Sequence, residues 1–194
     1  GGLTLSATDL VLPGRDGFDL VIMRIYDSTF AQQEKIIEAN NEVDNKGYRK
    51  TPVDTFGNGW ALNIPWIEKT DKGRFLRLPE GQTIKIEFKN KKFVYHKGIH
   101  FALEQPTKNG PYYLTMKDGT KYEFDSAGKV KKKISPSGKN EISYNYSGRQ
   151  LSYIIDSLGR RVEFTYQNNA ITKIKVDERS LEYFYDENGN LIEA

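Results

Sequence analysis

The chain reads as an all-β protein of antiparallel hairpin repeats, forming an extended twisted sheet or partial β-shell with one short helical or loop insertion. Three observations predict this. The 194 residues include 12 Tyr, 10 Phe and 2 Trp, side chains that favour a pleated, half-buried surface over a helix. Short runs of period-two alternation are separated by Gly, Asn, Asp and Pro, as in hairpins. The last third also repeats itself at intervals of about twenty residues, the mark of a repeat architecture.

Residues 3–30 predict two strands, TLSATDLVLP and FDLVIMRIYDS, around a turn at Gly14-Arg15-Asp16-Gly17. In the second strand Phe18, Leu20, Ile22, Arg24 and Tyr26 fall on one face, and Val21, Met23 and Ile25 on the other. Apolar residues on both faces predict a strand covered on both sides. Residues 31–55 (AQQEKIIEANNEVDNKG and its flank) hold the good helix formers. They predict a short helix near 31–40 and then a loop.

From Gly57 onward, short alternating runs carry Leu62, Ile64 and Trp66, then Ile84, Ile86 and Phe88, then Ile99, Phe101 and Leu103. Turn signals stand at Asp71-Lys72-Gly73, Pro79-Glu80-Gly81, Lys89-Asn90-Lys91, Asn109-Gly110-Pro111 and Asp118-Gly119. The organisation is therefore an opening β region over 1–118, with its insertion at 31–55. Four tandem units of about twenty residues follow over 119–194, the last incomplete.

The units are GTKYEFDSAGKVKKKISPS, GKNEISYNYSGRQLSYIIDSL, GRRVEFTYQNNAITKIKVDE and RSLEYFYDENGNLIEA. Gly119, Gly138 and Gly159 are 19 and 21 positions apart, and Phe124, Tyr146, Tyr166 and Tyr185 are separated by 22, 20 and 19. First strands alternate through Ile142, Tyr144 and Tyr146, then Val162, Phe164 and Tyr166, then Leu181, Tyr183 and Tyr185. Returning strands are expected to alternate too, as in Leu151, Tyr153 and Ile155. Arg179 stands where the neighbouring units have Gly. One hairpin alone is marginal in water, so the units must stack edge to edge. No polar cap follows Leu191-Ile192, which predicts an exposed edge and association.

Net charge is +3, from 29 basic and 26 acidic side chains, and the interspersed signs create no strong field. The absence of cysteine excludes disulfides and thiolate chemistry. No run approaches the ~18–20 apolar residues of a membrane span. The opening GGLTLSATDL lacks the layout of a signal peptide, so the signal of an exported parent is expected upstream. Gly1-Gly2 need not be native.

The pattern aromatic-x-Tyr-(Asp)-x-x-Gly-x-Leu followed by Asp-x-x-Gly-Arg resembles the YD repeats of bacterial Rhs proteins. Those repeats also occur in wall-associated proteins, insecticidal toxin-complex C subunits and teneurins. The matching stretches are YFYDENGNL at 183–191 and IIDSLGRRVEFTY at 154–166; YNYSGRQL and FTYQNNAI are looser, with Ser147 and Gln167 where Asp is usual. DLVLPGRDGFDLVIMRIYDS and FGNGWALNIPW resemble the opening of many Rhs cores, though residues 31–55 lengthen that connection. The resemblance implies a β-sheet spiralling into a hollow shell that is secreted or displayed at the cell surface or wall. Such a shell encloses or presents a C-terminal toxin or effector, so the partners implied are the remaining repeats and that domain. The self-cleaving region such shells often carry has no counterpart here.

Searching for chemistry leads to the expectation of no enzyme: no catalytic residues, no cofactor and no metal. His96 and His100, the only histidines, are expected on a strand–turn–strand without a third ligand. Glu80, Glu87, Glu104, Asp118, Glu123 and Asp125 are expected at turns or on solvated strand faces. Gly14 and Gly17 form a turn and no phosphate cradle. Lys89, Lys91 and Lys92, and Lys129, Lys131, Lys132 and Lys133, could track a phosphate backbone. In VKKKI, however, Val130, Lys132 and Ile134 are expected on one face and Lys131 and Lys133 on the other, a solvated strand that resists edge aggregation. Nucleic acid is therefore not the expected partner. The alternative to the shell is a carbohydrate-binding or adhesive module at the cell surface, with Trp60, Trp66, Tyr112 and Tyr113 stacking on sugar, against core packing.

Overall fold

The computed structural model describes residues 4–27, 56, 57, 59–70, 72–94, 98 and 100–194. The helix expected near 31–40, and the rest of the 31–55 insertion, lie outside them. The described residues form antiparallel sheets with no α-helix among them.

The chain opens with a hairpin of β1 (Thr4–Leu12) and β2 (Leu20–Asp27), joined through a single 3-10 turn at Arg15–Gly17. Strand β3 (Trp60–Leu62) pairs with the other edge of β2. A second three-stranded sheet follows: β4 (Trp66–Thr70), β5 (Gly73–Arg77) and β6 (Thr83–Ile86). An eleven-stranded meander comes next, each strand paired with the one before it. It begins with β7 (Phe88–Lys89), β8 (Lys92–Phe93), β9 (Phe101–Glu104) and β10 (Tyr112–Met116). It continues through β11 (Lys121–Phe124), β12 (Val130–Ile134), β13 (Glu141–Ser147) and β14 (Gln150–Ile155). It ends with β15 (Arg161–Gln167), β16 (Ala170–Val176) and β17 (Arg179–Glu182). Strands β18 (Phe184–Tyr185) and β19 (Leu191–Glu193) form a last hairpin.

All of these sheets share one apolar core. Leu10, Leu12, Leu20 and Ile22 of the opening hairpin pack in it with Leu114, Phe124, Ile142, Val162 and Ile174 of the meander. The expected alternation of the first strands holds: Ile142 and Tyr144, then Val162 and Phe164, are buried. Between them Ser143 and Glu163 face outward, because successive strand residues point to opposite faces.

The returning strands break period two. Each carries a β-bulge at the same place, between the pairs Glu123–Lys132 and Phe124–Val130, Asn145–Tyr153 and Tyr146–Leu151, and Thr165–Lys173 and Tyr166–Ile171. The extra residue shifts every later side chain to the other face. Leu151 and Ile154 are therefore buried, with Tyr153 and Ile155 only partly so, which corrects the expected Leu151-Tyr153-Ile155 stripe. For the same reason Val130, Lys132 and Ile134 do not share a face. Val130 is buried, and Lys133 sits opposite Tyr122 and Ile142 on the inner side.

The uneven spacing of the units has a simple origin. From each strand-ending aromatic to its partner across the bulge the chain takes 6, 5 and 5 steps (Phe124–Val130, Tyr146–Leu151, Tyr166–Ile171). The turns back take 5, 4 and 3 steps (Ser135–Asn140, Asp156–Arg160, Val176–Arg179). The two strand segments stay constant, at 5 steps from bulge to turn and 6 from turn to the next aromatic. All variation in the 22, 20 and 19 residue spacings thus lies in turns, where it leaves the inward face unchanged. A one-residue change inside a strand would invert that face. This register also places Arg179 opposite Val176, equivalent to Arg160 and Asn140. The position that is Gly159 in the preceding unit is Glu178 here, which corrects the expected match of Arg179 to Gly.

Candidate functional site

The polar contacts of the described residues concentrate at two places, the joints between successive units and the seat of the opening hairpin. Three turns, two within units and one between them, share one chemistry. In Asp125–Lys129, Asp156–Arg160 and Asp186–Asn190 the first N–H donates to the last carbonyl, and the glycine N–H donates back to the Asp carbonyl. Gly128, Gly159 and Gly189 have φ of 93°, 82° and 81°, which completes a type I turn with a glycine bulge. The Asp carboxylate fixes the loop. Asp156 Oδ1 accepts from the N–H groups of Leu158 (3.1 Å) and Arg160 (2.7 Å), and Asp186 Oδ1 from Asn188 and Asn190 (both 2.9 Å). These bonds to the Asn190 backbone and side chain hold the Asp186 carboxyl below its usual range. Ser147 and Gln167, which lack the carboxylate, sit instead at two-residue turns, Ser147–Gln150 and Gln167–Ala170. Those loops are too short to offer the N–H groups an Asp would accept.

The strand-ending tyrosines tie unit to unit. The β14–β15 ladder covers only Tyr153–Ile155, stopping short of the bulge at Leu151. The Tyr166 hydroxyl of the next unit donates to the Leu151 carbonyl at 2.8 Å. One unit later the β16–β17 ladder stops at Lys173, and the Tyr185 hydroxyl donates to the Ile171 carbonyl at 2.5 Å. At these two bulges the next tyrosine thus satisfies a carbonyl beyond the end of the ladder, as a buried backbone acceptor requires.

The opening hairpin is seated on the returning turns. Arg15 N–H donates to Ser157 Oγ (2.8 Å), which donates to the Phe18 carbonyl (3.0 Å). Asn140 Nδ2 donates to Asp16 Oδ2 (3.0 Å), and the Arg160 guanidinium donates to the Pro13 carbonyl. Arg160 also pairs with the buried Asp156 at 2.7 Å, so the Asp-x-x-Gly-Arg signature both closes its own turn and grips the hairpin. Gly14 is required by this approach, since a Cβ there would lie 1.9 Å from the Phe18 carbonyl oxygen and 2.4 Å from Ser157 Oγ. At the far end, Asp9 Oδ2 accepts from Arg24 Nε (2.6 Å) and from the Tyr183 hydroxyl (2.8 Å). Burial first, and then Asp9, pushes the Tyr183 phenol above its ordinary range. The Arg24 guanidinium also lies over the Trp60 and Tyr183 rings.

The residues singled out in the sequence are mostly dispersed. His96 lies outside the described residues, and His100 is exposed. Glu80, Glu87, Glu104 and Asp118 are exposed, whereas Asp125 holds its turn through Lys129 N–H. Among the described residues no three His, Cys, Asp or Glu side chains cluster as a metal site would. Lys89, Lys91 and Lys92 are exposed around the β7–β8 turn, Lys129 and Lys131 lie over the Tyr146 ring, and Lys132 pairs with Glu141 at 3.4 Å. Of the aromatics, Trp60 packs against Tyr26, Trp66 lies under the Arg77 guanidinium at 4.4 Å, and Tyr112 is 3% exposed. Only Tyr113, at 41%, offers an open ring. Burial draws Arg77 down to about 10, with Asp27 opposing.

No helix among the described residues is long and apolar enough to cross a membrane. No protein-family model matches the chain, and no curated protein matches it.

Proposed function

We propose that this chain is a non-catalytic section of a repeat scaffold of the Rhs/YD type, secreted or displayed at the cell surface. In this reading it begins the sheet that later repeats extend into a shell, which encloses or presents a C-terminal toxin or effector domain. The observation that carries the reading is the tyrosine-to-bulge bond, made twice at equivalent positions by Tyr166 and Tyr185. A contact that joins each unit to the next is what an extendable array needs, because stability in such arrays comes from nearest-neighbour interfaces. The seating of the opening hairpin on the Asp156–Arg160 turn supports the same reading, since it gives the array a defined start.

Limited proteolysis of the natural full-length product tests this. The C-terminal domain is expected to resist cleavage until the repeats are unfolded by denaturant. Digestion of that domain at the same rate within the native protein as in isolation would refute the shell role.

A further inference from the structure

The core-facing position three residues after each bulge residue is Ile154 in one unit and Ile174 in the next, both buried. In the first unit it is Lys133. Its ammonium lies 5.4 Å from the Phe18 ring centroid and 5.9 Å from that of Tyr122, between the opening hairpin and the meander. It lines a partly enclosed cavity of about 50 Å³, together with Leu20, Ile22, Asn63, Tyr122 and Tyr144. Since one water needs ~10–15 Å³ of such space, the cavity has room for a small ligand and none for a bulky one.

Three side chains with a donor group, Lys133, Tyr122 and Tyr144, line it. The Lys133 ammonium makes no ion pair or hydrogen bond among the described residues, and neither do the hydroxyls of Tyr122 and Tyr144. The remaining polar lining group, Asn63, already spends its amide on the backbone, donating to Val21 O and accepting from Met23 N–H. The acidic groups facing the cluster are Asp118, which acts on Lys133 and Tyr122, and Glu80, which acts on Tyr122; both are exposed and screened by solvent. Lys133 is half-buried, and burial lowers its pKa, so an anion beside the ammonium would stabilise its charged form.

From the cavity and its donor set we infer a binding site for one small monovalent inorganic anion of chloride size, held by the Lys133 ammonium and the Tyr122 and Tyr144 hydroxyls. The anion neutralises the only cation in that cavity and accepts from both phenols, so charge and hydrogen bonding are satisfied together. Gluconate is too large for the space.

Two measurements on the full chain test the site. Crystals soaked in sodium bromide are expected to show an anomalous peak within hydrogen-bonding distance of Lys133 Nζ; water alone at that position would overturn the inference. In thermal unfolding at constant ionic strength, replacing sodium gluconate by sodium chloride is expected to raise the midpoint by about 2 °C or more. That rise should vanish in Lys133→Ile, which carries the residue of the equivalent positions, and in Lys133→Met. Equal midpoints in the two salts, or an undiminished rise in a folded Lys133 variant, would overturn it.

Discussion

Replacing Tyr166 by Phe removes one hydroxyl and leaves the ring in place, so it isolates the bond between units. The Leu151 carbonyl loses its donor at 2.8 Å, and Leu151 is fully buried, so water cannot easily substitute. A net hydrogen bond contributes about 0.5–1.5 kcal/mol, and a buried acceptor left unsatisfied costs about 1–3 kcal/mol. The expected loss is therefore ~1–2 kcal/mol, equivalent to roughly 2–8 °C in a chain of this size. Urea unfolding followed by far-ultraviolet circular dichroism measures it, with an unchanged m-value showing that the cooperative unit is intact. Tyr153→Phe is the control, because Tyr153 lies half-exposed under Arg161 at 3.7 Å and makes no such bond. A loss at Tyr166 no larger than at Tyr153 would refute the reasoning.

Other outcomes follow from the same contacts. Gly128 and Gly138 both have positive φ (93° and 77°), but a Cβ at Gly128 would lie 1.9 Å from the Ile67 carbonyl oxygen, whereas Gly138 has open space. Gly138→Ala should cost about 1–2 kcal/mol from backbone strain alone, and Gly128→Ala distinctly more, as denaturant midpoints would record. Asp156→Asn leaves Arg160 without its buried partner and should cost about 2–4 kcal/mol; a calorimetric midpoint within 1–2 °C of the parent would contradict this. The Asp186 carboxyl is depressed by its turn, so its contribution is complete above the unfolded value of ~3.9 and is lost as pH falls through the lower folded value. Carboxyl chemical shifts titrated by nuclear magnetic resonance should place Asp186 below that reference, and Asn190→Ala should move it upward.

The hairpin order was legible because alternation and turn residues are local properties. Ile142-Tyr144 and Val162-Phe164 needed no tertiary information to be placed inward. The bulges were written in the sequence too, as apolar pairs three apart at Leu151–Ile154 and Ile171–Ile174, but period-two reading passes over them. The first unit hid the signal further, since Lys133 occupies the apolar slot and made VKKKI look like a solvated strand. Arg179 was misplaced because the glycine of its turn is absent, and only the pairing with Val176 reveals its equivalence to Arg160. The seat of the opening hairpin could not be read at all. Its partners are 124, 142 and 147 residues apart in the chain, and nothing local in Pro13-Gly14-Arg15-Asp16 names them. The sugar-stacking reading of Trp60, Trp66, Tyr112 and Tyr113 rested on type alone. In the structure alternation turns Tyr112 inward and Tyr113 outward, and the two Trp rings lie under arginines.

Single-residue deletions test the central claim, that these units keep fixed strand steps and differ only in their turns. Deleting Lys139 shortens the Ser135–Asn140 turn to the four-step length of Asp156–Arg160, and urea unfolding should show a loss of no more than about 1 kcal/mol. Deleting Ser143, inside β13, inverts the face of Ile142 or Tyr144 and should abolish the cooperative transition. Equal tolerance of the two deletions, or greater damage from the first, would contradict the account.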